Sequence, residues 1–212
     1  EGVLSIASGI YDVVLVGGLE EMSKLSTEQV AEGLALAGTP YEGDAGFTFP
    51  GIFGAIATAY FAQYGANREH LMNVTIKSHN NARLNPKAQF NTTIQGMMER
   101  RIARAEQRGE ALPDWKDEMD FLNDPGANPW IAWPLRLYDC APITDGAACV
   151  LLVTSEIAHS FTDNPVQVIG TGQATGRPMH NAEELTSLSA AKYASAQAYQ
   201  MAGIGPQDVQ VA

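Results

Sequence analysis

Arginine recurs at positions 100, 101, 104 and 108, inside a stretch whose apolar period suits a helix. Four planar, permanently charged forks on one helix could clamp the phosphates of a small ligand. The plainer alternative is a solvated helix face with glutamates 99, 106 and 110 as local partners. Thiol chemistry has two candidates, Cys140 and Cys149. Nine residues apart, they form neither a disulfide framework nor a metal-binding pair, and Cys149 reads as a small core hydrophobe within an apolar run. His70, His79, His159 and His180 are too scattered for a metal site. No Gly-x-Ser-x-Gly elbow offers a serine nucleophile. Gly170-Thr-Gly-Gln-Ala-Thr-Gly176 misses the dinucleotide spacing by one residue and opens no helix, so it reads as a tight turn.

Elements that could position these groups follow from apolar period and punctuation. Val13–Val16 reads as a short buried strand ending at Gly17-Gly18. Phe53–Gly65 reads as an Ala-rich helix, and Asn67 caps a second that runs to about Leu84 before Pro86. Thr92–Arg108 forms a third, with Ile94, Met98, Ile102 and Ala105 inward and the four arginines on the other faces. Residues 112–133 read as a connection. Ala147–Val153 has no polar alternation and is expected to be a strand buried on both faces. Glu156–Phe161 reads as a short helix, Val166–Ile169 as a strand, and Leu185–Ala202 as a helix stopped by Gly203. Strands alternating with helices imply an α/β fold with a doubly wound, mostly parallel sheet. A change of module is expected near His159–Pro165. Residues 25–133 are helical and strand-poor, and read as an insertion.

The 212 residues are 45% hydrophobic and 17% charged, a globular balance. No apolar run approaches the roughly 20 residues that span a bilayer, and the first residues lack the charged and apolar regions of a secretory signal. A cytoplasmic location is the default expectation. The net charge of −11 disfavours nucleic acid as a partner. Yet eight of the 13 basic residues lie between Arg68 and Arg108 against three glutamates, a local charge of +5. An acidic chain with one basic segment can still hold a small polyanion. Glu1–Ser8 reads as the end of a helix and 203–212 as the start of a strand, so further sequence is expected on both sides.

Cys140-Ala-Pro-Ile-Thr-Asp-Gly-Ala-Ala148 followed by its apolar strand resembles the thiolase superfamily, in its sterol-carrier-protein-x and archaeal type. Ala7-Ser-Gly-Ile-Tyr-Asp-Val-Val-Leu-Val-Gly-Gly-Leu-Glu-Glu-Met-Ser23 looks like the segment after that family's nucleophile helix. Tyr64–Leu71, Lys77–Ala82 and Asn85–Phe90 resemble its loop domain, and Val166–Gly172 with Ala198–Val209 the opening of its second half. The resemblance implies a layered αβαβα fold with a helical loop-domain insertion. It assigns residues 1–24 and 134–162 to the N-terminal half, 25–133 to the loop domain, and 163–212 to the start of the C-terminal half.

The activity so implied is acyl-CoA C-acyltransfer, the thiolysis or Claisen condensation of 3-oxoacyl-CoA through a cysteine thioester. Such chemistry needs a thiolate lowered by a helix N-terminus and donors aimed at the developing oxyanion. By the resemblance the nucleophile lies before Glu1 and the remaining catalytic segments after Ala212, so no residue here is assigned a catalytic role. Neither Cys140 nor Cys149 matches the nucleophile's context. Substrate contacts are implied for Thr48, Phe49 and Pro50, for His79, and for the turn Cys140-Ala141-Pro142 beneath the pantetheine arm. Arg100, Arg101, Arg104 and Arg108 are the candidate contacts to CoA phosphates. Coenzyme A enters as substrate, with no resident cofactor or metal. Implied partners are a second copy of the chain and a small zinc-ribbon/OB-fold protein. The alternatives within this fold are a retro-aldolase and a non-catalytic thiolase-like subunit.

Overall fold

The computed structural model describes residues 1–211. In chain order the elements are α1 (Gly2–Ala7), β1 (Val13–Glu20), α2 (Thr27–Ala35), α3 (Pro40–Asp44), α4 (Phe49–Tyr64), α5 (Arg68–Ala82), α6 (Ile94–Arg108), α7 (Glu118–Asn123), β2 (Trp130–Ala132), β3 (Leu135–Arg136), β4 (Gly146–Val153) and α8 (Ser189–Ala202). The chain divides into two units. Residues 1–24, 144–177 and 187–212 form one, and residues 25–143 and 178–186 the other. Both sides of His159–Pro165 therefore lie in the same unit, and 134–143 sits with the helices.

In the first unit β1 and β4 pair antiparallel, in a register that runs from Val13 opposite Val153 to Glu20 opposite Gly146. The expected parallel arrangement is not what these strands adopt. Their connection is the whole excursion through residues 25–143, not a single crossover helix, so nothing obliges them to run the same way. Asp145 ties the open end, accepting from the backbone N–H groups of Met22 and Ser23 at 2.8 Å each and from the Ser23 hydroxyl. Those bonds, the Ser23 hydroxyl's first, hold its carboxyl below the ordinary aspartate range. Helix α1 packs on the ladder so closely that Gly2 lies against Val16 and Leu152. The rest of the ladder is open. Leu15, Val150 and Leu151 are exposed, and Cys149 is exposed too, not a core hydrophobe.

Val166–Ile169, expected as a strand, belongs to no ladder among the described residues. It leads into Gly170 and Gly172, which lie against the backbone of α8. A Cβ on Gly170 would meet the Ala198 carbonyl at 2.3 Å, and one on Gly172 the Ala194 carbonyl at 1.8 Å. The glycines are thus a helix-packing surface, and the reading as a simple tight turn is corrected. Helix α8 starts at Ser189, later than expected, and stops at Gly203 in the left-handed region.

Capping residues fix the helices of the second unit. Thr48 accepts from the Gly51 N–H, so α4 begins at Phe49, four residues before its expected start. Asn67 caps α5 through the Glu69 N–H, and Thr93 caps α6 through the Gly96 N–H. The core lies among α5, α6 and α7, where Met72, Ile94, Met98, Phe121, Leu122 and Ala127 are buried together. The segment expected to be a plain connection supplies α7 and β2, which pairs antiparallel with β3 just beyond it.

Segment 178–186 is held to this unit by Glu42. Its carboxylate accepts from the Thr39 N–H at 2.9 Å and the His180 N–H at 3.1 Å, with the His180 ring 3.3 Å away. These bonds, led by that of Thr39, lower its pKa from 4.5 to about 2. A depressed folded pKa gives stability that is present above the unfolded value and lost as pH falls through the folded one. Glu42→Gln is therefore expected to lower the thermal midpoint at pH 7, with the gap to wild type closing between pH 4.5 and about pH 2. Thermal melts of both proteins across that range, showing a constant gap, would contradict this.

Candidate functional site

Polar chemistry in the second unit concentrates on the segment that precedes Cys140. Arg68, at the start of α5, donates through one Nη1 to the Pro134 carbonyl at 2.9 Å and pairs with the Asp139 carboxylate. Asp139 also accepts from the Arg136 N–H at 2.8 Å and from the Thr75 hydroxyl at 3.3 Å. Arg136 is buried with its Nη1 on the Asn123 carbonyl at 2.6 Å, and its guanidinium lies 3.9 Å over the Trp130 ring. Burial, then the neighbouring Arg68 charge, lowers the Arg136 pKa from its usual value. Asn128, fully buried, closes the far side by donating to the Leu122 carbonyl and accepting from the Tyr138 N–H.

Cys140 leaves this network half-buried. Burial, then the Asp139 charge, pushes its thiol above the usual cysteine range, the opposite of what a nucleophile needs. His79 lies one layer away on α5, with Nδ1 3.1 Å from the Thr92 carbonyl and its ring between Phe90 and Tyr138. Thr48, Phe49 and Pro50 sit at the start of α4, where Phe49 packs on Phe53 with ring centroids 5.1 Å apart. None of these three residues, nor Cys140, Ala141 or Pro142, lines the cavity that the arginines build.

That cavity has a volume of about 690 Å³ and is lined by Arg100, Arg101, Arg104 and Arg108, with Phe90, Trp115 and Tyr138 as an aromatic wall. The four arginines converge on one space. The alternative of a plain solvated face holds least for Arg101. Its two Nη groups donate to the Gly126 and Ala127 carbonyls at 3.0 Å each. Nearby, Asp124 accepts from the Gly126 N–H at 2.7 Å and the Trp115 indole at 2.8 Å. The first of these bonds leads in holding its carboxyl below the usual range. Arg108 faces Glu110 at 3.7 Å across exposed surface, a pair that adds little. Among the described residues no cluster of three or more His, Cys, Asp or Glu side chains could hold a metal ion. No helix among them is long and apolar enough to cross a membrane.

The description "Thiolase, N-terminal domain" matches residues 1–111. The chain belongs to the thiolase family. Over 215 residues it is 34% identical to an acetyl-CoA acetyltransferase of Methanocaldococcus jannaschii, which covers all of this chain and 48% of the relative. Over 211 residues it is 31% identical to an acetyl-CoA acetyltransferase of Methanothermobacter thermautotrophicus, covering 98% of the chain and again 48% of the relative. This thiolase chain thus spans about half the length of the curated relatives it matches. A monomeric SCP2-thiolase-like protein of Mycobacterium smegmatis shares the fold, with a TM-score of 0.55 at 18% identity over 97% of this chain and 39% of that one. The thiolase-like α/β fold expected from the sequence is thus shared with that neighbour.

Sequence reading found the arginines and the 140–142 turn but passed over Arg68, Arg136, Asp139 and Trp130. The signal for Asp139 was its place directly before Cys140. Nothing in the sequence pairs it with Arg68, 71 positions away. Arg101→Ala is expected to lower unfolding free energy by about 1–2 kcal/mol, because it strips the donors from two loop carbonyls. Arg104→Ala, with no such bond, is expected to change it by less than about 0.5 kcal/mol. Urea unfolding of both variants distinguishes a structural Arg101 from four equivalent surface arginines.

Proposed function

We propose that this chain is part of an acyl-CoA C-acyltransferase of the thiolase type. The reaction is thiolysis or Claisen condensation of 3-oxoacyl-CoA through a cysteine thioester, with the nucleophile outside these 212 residues. The observation that carries the reading is the thiolase N-terminal match over residues 1–111, supported by relatives named acetyl-CoA acetyltransferase. The raised pKa of Cys140 agrees with placing the nucleophile elsewhere.

In this reading the helical unit contributes the substrate wall. Thr48, Phe49, Pro50, His79 and the turn Cys140-Ala141-Pro142 border the acyl and pantetheine groups. The cavity arginines meet the CoA phosphates. Arg100 and Arg104 are the better candidates, since Arg101 is engaged with two carbonyls and Arg108 faces Glu110. Thiolytic balance is simple. The enzyme cysteine attacks the 3-oxo carbonyl and gives up its proton, and the carbon–carbon bond breaks as the departing carbanion takes a proton to leave as acetyl-CoA. The thiol of a second CoA then displaces the cysteine from the thioester, and the cysteine regains a proton. Coenzyme A is substrate, and no resident cofactor is proposed. The protein would act in the cytoplasm as a homodimer, with a small zinc-ribbon/OB-fold partner.

Acetoacetyl-CoA cleavage tests the reading. The 212-residue chain alone is expected to show no turnover above background, whereas the protein carrying the family's catalytic segments cleaves it. Turnover by the isolated chain would bring Cys140 forward as nucleophile, and an inactive intact protein would favour the non-catalytic alternative. In the intact protein Arg104→Ala is expected to weaken CoA binding by about 1 kcal/mol at low salt, less as salt rises. Unchanged CoA affinity at low salt, read by calorimetry, would return the arginines to a solvated face.

A further inference from the structure

Arg68 bridges the two ends of a six-residue segment. Its Nη1 reaches the Pro134 carbonyl at one end and the Asp139 carboxylate at the other, so one guanidinium group closes the loop 134–139. Asp139 is 4% exposed and takes a second pair of donors from Arg136 and Thr75. Thr75 also donates to the Tyr138 carbonyl at 3.2 Å, which fixes the loop against the middle of α5. Trp130 lies under both guanidinium groups, 3.9 Å from Arg136 and 5.5 Å from Arg68.

This arrangement is a poor way to gain stability alone. Arg68 Nε and Nη2 and Arg136 Nε are buried without a hydrogen-bond partner among the described residues. The Asp139 carboxylate pairs with the Arg68 guanidinium alone, whereas Arg136 reaches it only through its backbone N–H and turns its own guanidinium to the Asn123 carbonyl. Apolar residues of similar volume would usually serve a core as well or better. What the network does achieve is geometric. It ties the Asp139 carboxylate to Arg68, Thr75 and the Arg136 N–H, and the next three residues are Cys140, Ala141 and Pro142.

We propose that Arg68 and Asp139 are positioning residues that set the Cys140-Ala141-Pro142 turn against the substrate. The inference rests on the reading of that turn as part of the pantetheine wall. Arg68 closes the loop, Asp139 transmits its geometry to Cys140, and Thr75 anchors both to α5. Neither residue touches the reacting atoms.

The test uses the intact protein and two readouts, one of which needs no turnover. Alkylation of Cys140 by iodoacetamide, followed peptide by peptide in a mass spectrometer, reports how firmly the half-buried thiol is held. Arg68→Met is expected to speed that alkylation by about tenfold, as the turn loosens and the thiol gains water. The same variant is expected to raise KM for CoA by about tenfold while kcat changes less than about threefold, the pattern of lost positioning rather than lost chemistry. Arg68→Lys, which retains a donor, is expected to recover part of both effects. If Arg68→Met does not fold by circular dichroism, Arg68→Gln keeps a neutral donor, leaves the Asp139 charge beside Cys140 in place, and is read in the same way. A folded variant with wild-type alkylation of Cys140 overturns the proposal. Faster alkylation with unchanged KM keeps Arg68 and Asp139 as the holders of the turn but overturns the assignment of that turn to the substrate.

Discussion

Phe121 is wholly buried, and the helical unit is organised around it. Trp115 meets its ring edge-on with centroids 5.0 Å apart, and Tyr138 lies 5.6 Å away on the other side. Ile94 and Met98 of α6 and Met72 of α5 complete the shell. Contacts of this kind are individually small and collectively the main stabilising term. Tyr138 belongs both to the aromatic wall of the arginine-lined cavity and to the loop that Arg68 closes, so the cavity and the turn at Cys140 share one apolar support.

The helices were legible in the sequence because their signals are local. Asn67, Thr93 and Gly203 mark helix ends through bonds or dihedrals that involve residues within a few positions. Thr48 and Pro50 carry the same kind of signal for α4, which begins four residues before the Ala-rich run that announces it. The strands were harder. An unbroken apolar run such as Ala147–Val153 announces a strand but says nothing about direction or about what covers it. Here β1 pairs with it antiparallel and α1 packs on it.

The site was legible only in part, for a related reason. Arginines grouped along one helix can be counted from sequence. Which of them is occupied depends on the carbonyls of Gly126 and Ala127, more than twenty positions away. The same holds for Glu42 and His180, which meet across 138 positions. Long-range polar contacts leave no periodic trace, whereas family resemblance placed the 140–142 turn without explaining what holds it.

Gly170 and Gly172 carry a different lesson. Their pattern after an apolar segment imitates a phosphate-binding loop closely enough to be weighed as one. In the folded chain both positions are pressed onto the backbone of α8, and even a single methyl group at Gly172 would overlap the Ala194 carbonyl. A chain segment and an Ala-rich helix can approach this closely only where one partner presents bare backbone. A survey of tolerated substitutions would find these two positions nearly immutable, and an observer with the survey alone would take that immutability for ligand recognition. The constraint is one of distance between two pieces of main chain, and it would persist in a relative that had lost every trace of catalysis.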